Sequence, residues 1–199
     1  FAVTQTAPGH SPQLHVVDGY ELEVNRYAKQ MGAEALHAQT RVSCGRPIAG
    51  TEVHILDEQN QVVPDRVVGE VAIRSNCLLT GYYRRPDLIP LDERGWFLTG
   101  DMGYLASGEL YIVGRRKDLI INAGKNIYPA DIEAVVNGVD GVKAGRAVAF
   151  GVPDEREGTE LVAVIAEVEP EDEDTRRVIG RTIRQDVARQ TMVTVSYVY

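Results

Sequence analysis

The sequence predicts an α+β chain of two textures: a β-rich first part forming a small sheet or distorted barrel, then a small α+β domain. Three observations carry this. Short alternating apolar segments, separated by turn residues, run from about residue 41 to 113. The texture changes at Gly114. Beyond it, segments with apolar residues at helical spacing interleave with apolar strand candidates.

The elements follow in order. Residues 1–12, with Pro8, Gly9 and Pro12, read as loop, and residues 14–17 as a short strand. Tyr20, Val24, Tyr27 and Met31 recur at helical spacing, which predicts an amphipathic helix over 20–31, punctuated by Gly32. Residues 41–44 precede a Gly45-Arg46-Pro47 turn. Residues 51–56 alternate with Val53 and Ile55 on one face, and residues 69–74 with Val71 and Ile73 inward. Further short β segments are expected at 77–83, 96–98 and 109–113, with Thr99-Gly100-Asp101 as a turn.

After Gly114, residues 119–122 and 126–128 flank Ala123-Gly124-Lys125, a compact hairpin signal. Pro129 suits the first position of a helix, where its missing N–H is not needed, and Gly138 ends that helix. Residues 147–150 and 161–168 read as strands around a polar turn at 153–158. The acidic stretch 169–173 reads as exposed. Ile179, Ile183 and Val187 give residues 175–190 one apolar helical face, and 193–198 begins a last strand. The expected division is 1–114, a joint at 115–118, and 119–199.

At 199 residues the chain holds one ordinary domain or two small ones. With 44% hydrophobic and 25% charged residues its composition is globular. A net charge of −8 argues against a duplex-DNA binder, which needs clustered Lys and Arg on phosphates. No apolar run approaches the roughly 20 residues of a membrane span. Cys44 and Cys77 lack metal-ligand spacing and read as reduced, semi-buried thiols of a cytosolic protein. His10, His15, His37 and His54 do not cluster, and no metal site is expected.

Several residues are candidates for chemistry. Asp101 follows a glycine, and a carboxylate in that setting accepts hydrogen bonds from two adjacent hydroxyls, such as those of a ribose. On the tripeptide alone, a turn aspartate bonding its own backbone is the simpler reading. Arg115, at a strand end, offers a planar guanidinium for ribose or phosphate oxygens; otherwise it is a solvated arginine. Lys117 lies at the joint between the two textures, where a hinge residue would change φ and ψ; otherwise it is a surface lysine. Gly124 leaves open space above a hairpin tip and Lys125 beside it suits a phosphate; the bland alternative is a glycine serving the turn alone. Tyr82 and Tyr83 either line an adenine or acyl surface or, as such pairs more often do, pack a sheet edge.

Four stretches then come in sequence: Gly69-Glu70-Val71-Ala72-Ile73-Arg74, Gly81-Tyr82-Tyr83-Arg84-Arg85-Pro86, residues 96–101, and residues 114–133. In that order they resemble the core motifs of the AMP-forming acyl-adenylate superfamily, over about residues 41–168. Val42-Ser43-Cys44-Gly45-Arg46-Pro47, residues 115–121 and residues 126–133 are most similar to fatty acyl-AMP ligases and long-chain acyl-CoA ligases.

The resemblance implies an enzyme that attacks the α-phosphate of ATP with a fatty-acid carboxylate, giving acyl-AMP and pyrophosphate. The acyl group then passes to the thiol of CoA or of a carrier protein's phosphopantetheine arm. It implies Mg²⁺ as a cofactor; the cytoplasmic location expected rests on the cysteine reading. Residues 1–114 would be the end of the large domain and 119–199 an incomplete mobile small domain. Asp101 and Arg115 would bind the nucleotide, Lys117 would be the hinge, and Gly124 and Lys125 would face the thiol. No catalytic residue is expected within the chain: the phosphate loop would lie upstream and the adenylation lysine beyond Tyr199, so the isolated chain is expected to be inactive. The alternatives are a non-catalytic binding module on a ligase scaffold, and an adenylation domain for an aryl or amino acid.

Overall fold

Alternation along Thr51–Leu56 and Gly69–Ser75 turns Val53, Ile55, Val71 and Ile73 to one buried face, where they meet Leu110. These strands belong to a computed structural model that describes residues 3–88, 90–169 and 172–199. The chain divides into two units, Phe1–Lys117 and Asp118–Tyr199.

The first unit contains β1 (Thr4–Gln5), β2 (Leu14–Asp18), α1 (Gly19–Asn25), β3 (Ala38–Val42), β4 (Arg46–Pro47), β5 (Thr51–Leu56), β6 (Gly69–Ser75), β7 (Phe97–Ala106) and β8 (Glu109–Arg115). Strands β5-β6-β7-β8 form a four-stranded antiparallel meander; β2-β3 and β1-β4 form two-stranded ribbons. Beyond β8 the ladder is extended by Leu110, which accepts from the Cys44 amide at 2.8 Å and donates to the Gly45 carbonyl at 3.0 Å.

Several sequence expectations change here: Arg46–Pro47, expected in a turn, and Thr4–Gln5, expected in a loop, pair as β4 and β1. The helix expected over 20–31 stops at Asn25, because Arg26 is left-handed at φ 51°. The next residues pair with distant chain instead: Ala28 donates to the Arg66 carbonyl (2.8 Å) and Met31 to that of Val16 (3.0 Å). Long-range β-like pairing thus overrides the local period. Residues 77–83 form no named strand, and Tyr82 joins only an isolated bridge to Arg85. Thr99-Gly100-Asp101 is not a turn but lies within β7. Both cysteines are exposed rather than semi-buried.

A 3₁₀ turn over Arg116–Asp118 carries the chain across the boundary, and the second unit then contains β9 (Ile120–Asn122), β10 (Lys125–Ile127), α2 (Pro129–Val136), β11 (Val142–Asp154), β12 (Thr159–Val168), α3 (Glu173–Thr191) and β13 (Val195–Val198). Strands β11 and β12 pair antiparallel, and β13 adds to β12 in parallel, the direction a helical crossover produces. Helix α3 is capped by Asp172, which accepts from the Thr175 amide at 2.8 Å. Its stripe Ile179, Ile183, Val187 joins Ile132 and Val136 of α2 and Val162 and Val164 of β12 in one core. The acidic stretch expected at 169–173 includes residues 170 and 171, which lie outside the described residues, as do residues 1 and 2 of the expected loop.

Candidate nucleotide site

The site is built by a mismatch between two strands. Glu70 pairs with Met102 and Ala72 with Leu98, so Val71 alone faces Thr99, Gly100 and Asp101. Surplus residues on one strand lose ladder partners and bend outward. Side chains replace the missing backbone bonds. The Thr99 hydroxyl donates to the Val71 carbonyl at 2.9 Å and accepts from the Asp101 amide at 3.0 Å. The Gly100 amide donates to Glu70 Oε1 at 3.1 Å.

Gly100 sits at φ +74°, and a Cβ placed on it would meet nothing within 4 Å. The bulge therefore needs a glycine and leaves open space over its backbone. On the other side of β7, Asp101 is the register partner of Arg115 in β8. Asp101 Oδ1 lies 3.0 Å from Arg115 Nε, with the side chains 31% and 57% exposed. The structure thus brings together the two residues singled out for nucleotide binding. The carboxylate keeps a second oxygen for a hydroxyl donor, and the guanidinium keeps its terminal nitrogens for oxygen acceptors.

Lys117 is exposed and is the last residue of the first unit. Gly124 and Lys125 belong to the second unit. Ala123 and Gly124, at φ 49° and 80°, form the two-residue tip between β9 and β10, and a Cβ at Gly124 would meet open space. Tyr82 and Tyr83 do not pack a sheet edge: Tyr83 is 86% exposed, with the Arg84 guanidinium 5.2 Å from its ring centre. Buried His15 bonds the Tyr104 hydroxyl at 3.0 Å, and His54 stacks on Trp96. Among the described residues no three His, Cys, Asp or Glu are placed to hold a metal ion, and no helix is long and apolar enough to cross a membrane.

Sequence reasoning assigned no role to Glu70, Thr99 or Arg116. Glu70 Oε2 accepts from Arg116 Nη1 at 2.7 Å while its other oxygen holds Gly100. The available signal was weak: β6 carries two charged residues, Glu70 and Arg74, and alternation sets both on the face opposite Val71 and Ile73.

Comparison with known proteins gives this geometry a context. The sequence model of the AMP-binding enzyme family matches residues 27–83. Over 126 residues the chain is 40% identical to 2-succinylbenzoate–CoA ligase of Enterococcus faecalis, covering 62% of this chain and 25% of that protein. It is 37% identical over 154 residues to the long-chain-fatty-acid–CoA ligase FadD13 of Mycobacterium tuberculosis, covering 76% and 30%. A structure from work on the fatty acyl-adenylate ligases of E. coli and L. pneumophila superposes with a TM-score of 0.79 at 30% identity, covering 94% of this chain and 34% of that one. The chain belongs to the AMP-forming acyl-adenylate family of AMP-binding enzymes. It spans about a quarter to a third of the length of these three relatives.

Proposed function

We propose that this chain carries the ribose-binding part of a ligase that activates a fatty acid with ATP and passes it to the thiol of CoA or of a carrier protein. The observation that carries the reading is the Asp101–Arg115 pair, held across β7 and β8 beside the open space over Gly100. Asp101 accepts the ribose hydroxyls, and its charge makes each bond stronger than a neutral one. Arg115 holds the carboxylate in place and presents donors to ribose or phosphate oxygens. Lys117, at the boundary between the two units, is the pivot of their rearrangement between adenylation and transfer. The hairpin tip at Gly124, with Lys125 beside it, admits the acceptor thiol. Mg²⁺ supplies charge neutralisation on the phosphates, and no residue described here is assigned to it.

The test is ATP–pyrophosphate exchange by the full-length protein with a fatty acid. Removing one preorganised charged contact costs about 10²–10³ in rate, so Asp101→Ala should lose exchange on that scale. An unchanged kcat and KM for ATP would refute the ribose role. The chain alone should form no acyl-hydroxamate from ATP, fatty acid and hydroxylamine.

A second reading, activation of an aryl acid, is favoured by the similarity to a 2-succinylbenzoate–CoA ligase. Exchange with an aromatic carboxylate but with no fatty acid would select it.

A further inference from the structure

We infer that Glu70 is a positioning residue for the nucleotide site: its carboxylate ties the β7 bulge to Arg116, the residue that follows β8, and so sets where Asp101 meets the ribose. The inference rests on the ribose reading of Asp101.

Three facts support it. On its β6 side the bulge has no backbone ladder between Ala72 and Glu70, so its fit against that strand depends on the side chains that lace it. Two of its backbone amides are held this way, Asp101's by Thr99 and Gly100's by Glu70. Glu70 is the only one of these two side chains that also reaches the opposite strand's continuation. Its second oxygen takes the Arg116 guanidinium at 2.7 Å, one residue past Arg115.

The Glu70 side chain is 12% exposed, against 62% for Arg116. A largely covered carboxylate needs its acceptor capacity filled, and both oxygens are filled here by donors flanking the Asp101–Arg115 pair. The bonds to Gly100 and Arg116 therefore bracket the pair from both strands. Loosening either leaves Asp101 on a glycine-containing bulge with one fewer restraint, and a catalytic hydrogen bond tolerates little displacement.

The experiment uses the full-length protein and two probes, ATP and 2′,3′-dideoxy-ATP, titrated by calorimetry. A charged acceptor on the ribose hydroxyls predicts that wild type prefers ATP by about tenfold or more. Asp101→Ala should remove that preference. A glutamine offers one acceptor oxygen to the two donors that Glu70 serves, so Glu70→Gln should cut the preference several-fold, about three- to tenfold, through weaker ATP binding. Arg116→Gln frees one Glu70 oxygen without touching the ladder and should shift the ratio the same way by less. A merely structural role would weaken both nucleotides equally and leave the ratio alone.

If Glu70→Gln and Arg116→Gln keep the wild-type ratio while Asp101→Ala loses it, the positioning role is wrong and the ribose reading stands. If Asp101→Ala keeps the ratio, the ribose reading itself fails. Should Glu70→Gln unfold the protein, Arg116→Gln decides alone.

Discussion

Replacing Gly100 by alanine separates the two properties that the β7 bulge combines. The residue sits at φ +74°, where an L side chain costs roughly 1–2 kcal/mol. A Cβ there meets no atom within 4 Å, so no packing penalty adds to the backbone strain. The melting temperature should fall by roughly 3–10 °C for a unit of this size. The methyl group would enter the space over the bulge, beside Asp101. ATP binding should therefore weaken beyond what lost stability explains, with KM for ATP in pyrophosphate exchange rising several-fold, about 5–50 times.

Gly103→Ala is the control. Its Cβ would lie 2.5 Å from the Tyr111 carbonyl oxygen and 3.1 Å from Val71 Cγ2, inside the sheet, so it should destabilise without acting selectively on ATP. Melting curves and exchange kinetics on both variants give the comparison. A Gly100→Ala protein that melts lower but keeps the wild-type KM for ATP would refute placement of the nucleotide over the bulge. A stability loss well beyond the strain alone would refute the openness of that space.

Two further outcomes concern the fold. Burial, and then the Arg66 charge, lower the pKa of His15, which packs with Tyr104 and Tyr111 near Arg41. Below about pH 6.5 the unfolded chain takes up a proton that the folded chain resists, so stability is full above that pH and falls as pH drops toward the folded pKa. Urea midpoints measured from pH 7 to 5 should show this slope, and His15→Asn should flatten it; an equal slope in the variant would exclude His15 as its source. At the β9–β10 tip, Ala123 holds φ 49°, a conformation that asparagine tolerates better. Ala123→Asn should stabilise the second unit by about 0.5–1 kcal/mol in chemical denaturation, and the backbone bond from its amide to Thr159 Oγ1 would remain; a lower midpoint would count against the turn assignment.

Some of this molecule could be read from sequence because the deciding contacts are local. Pro129 and the residues after it make α2, the Ile179, Ile183, Val187 stripe makes α3, and Gly124 closes a two-residue hairpin. The alternation in Thr51–Leu56 and Gly69–Ser75 likewise names its own buried face. The helix expected over 20–31 failed for the opposite reason. Its second half is claimed by Val16 and Arg66, which are neighbours only after folding.

The order of motifs along the chain, and the choice of Asp101 and Arg115 as a candidate pair, were set by sequence alone, since residue identity and spacing are sequence properties. That the two residues stand 3.0 Å apart, on a bulge laced by Thr99 and Glu70, was decided by tertiary structure. The physical reason is register: the offset of β7 against β6, which makes the bulge, depends on pairing between segments about 30 residues apart, and no local periodicity encodes it.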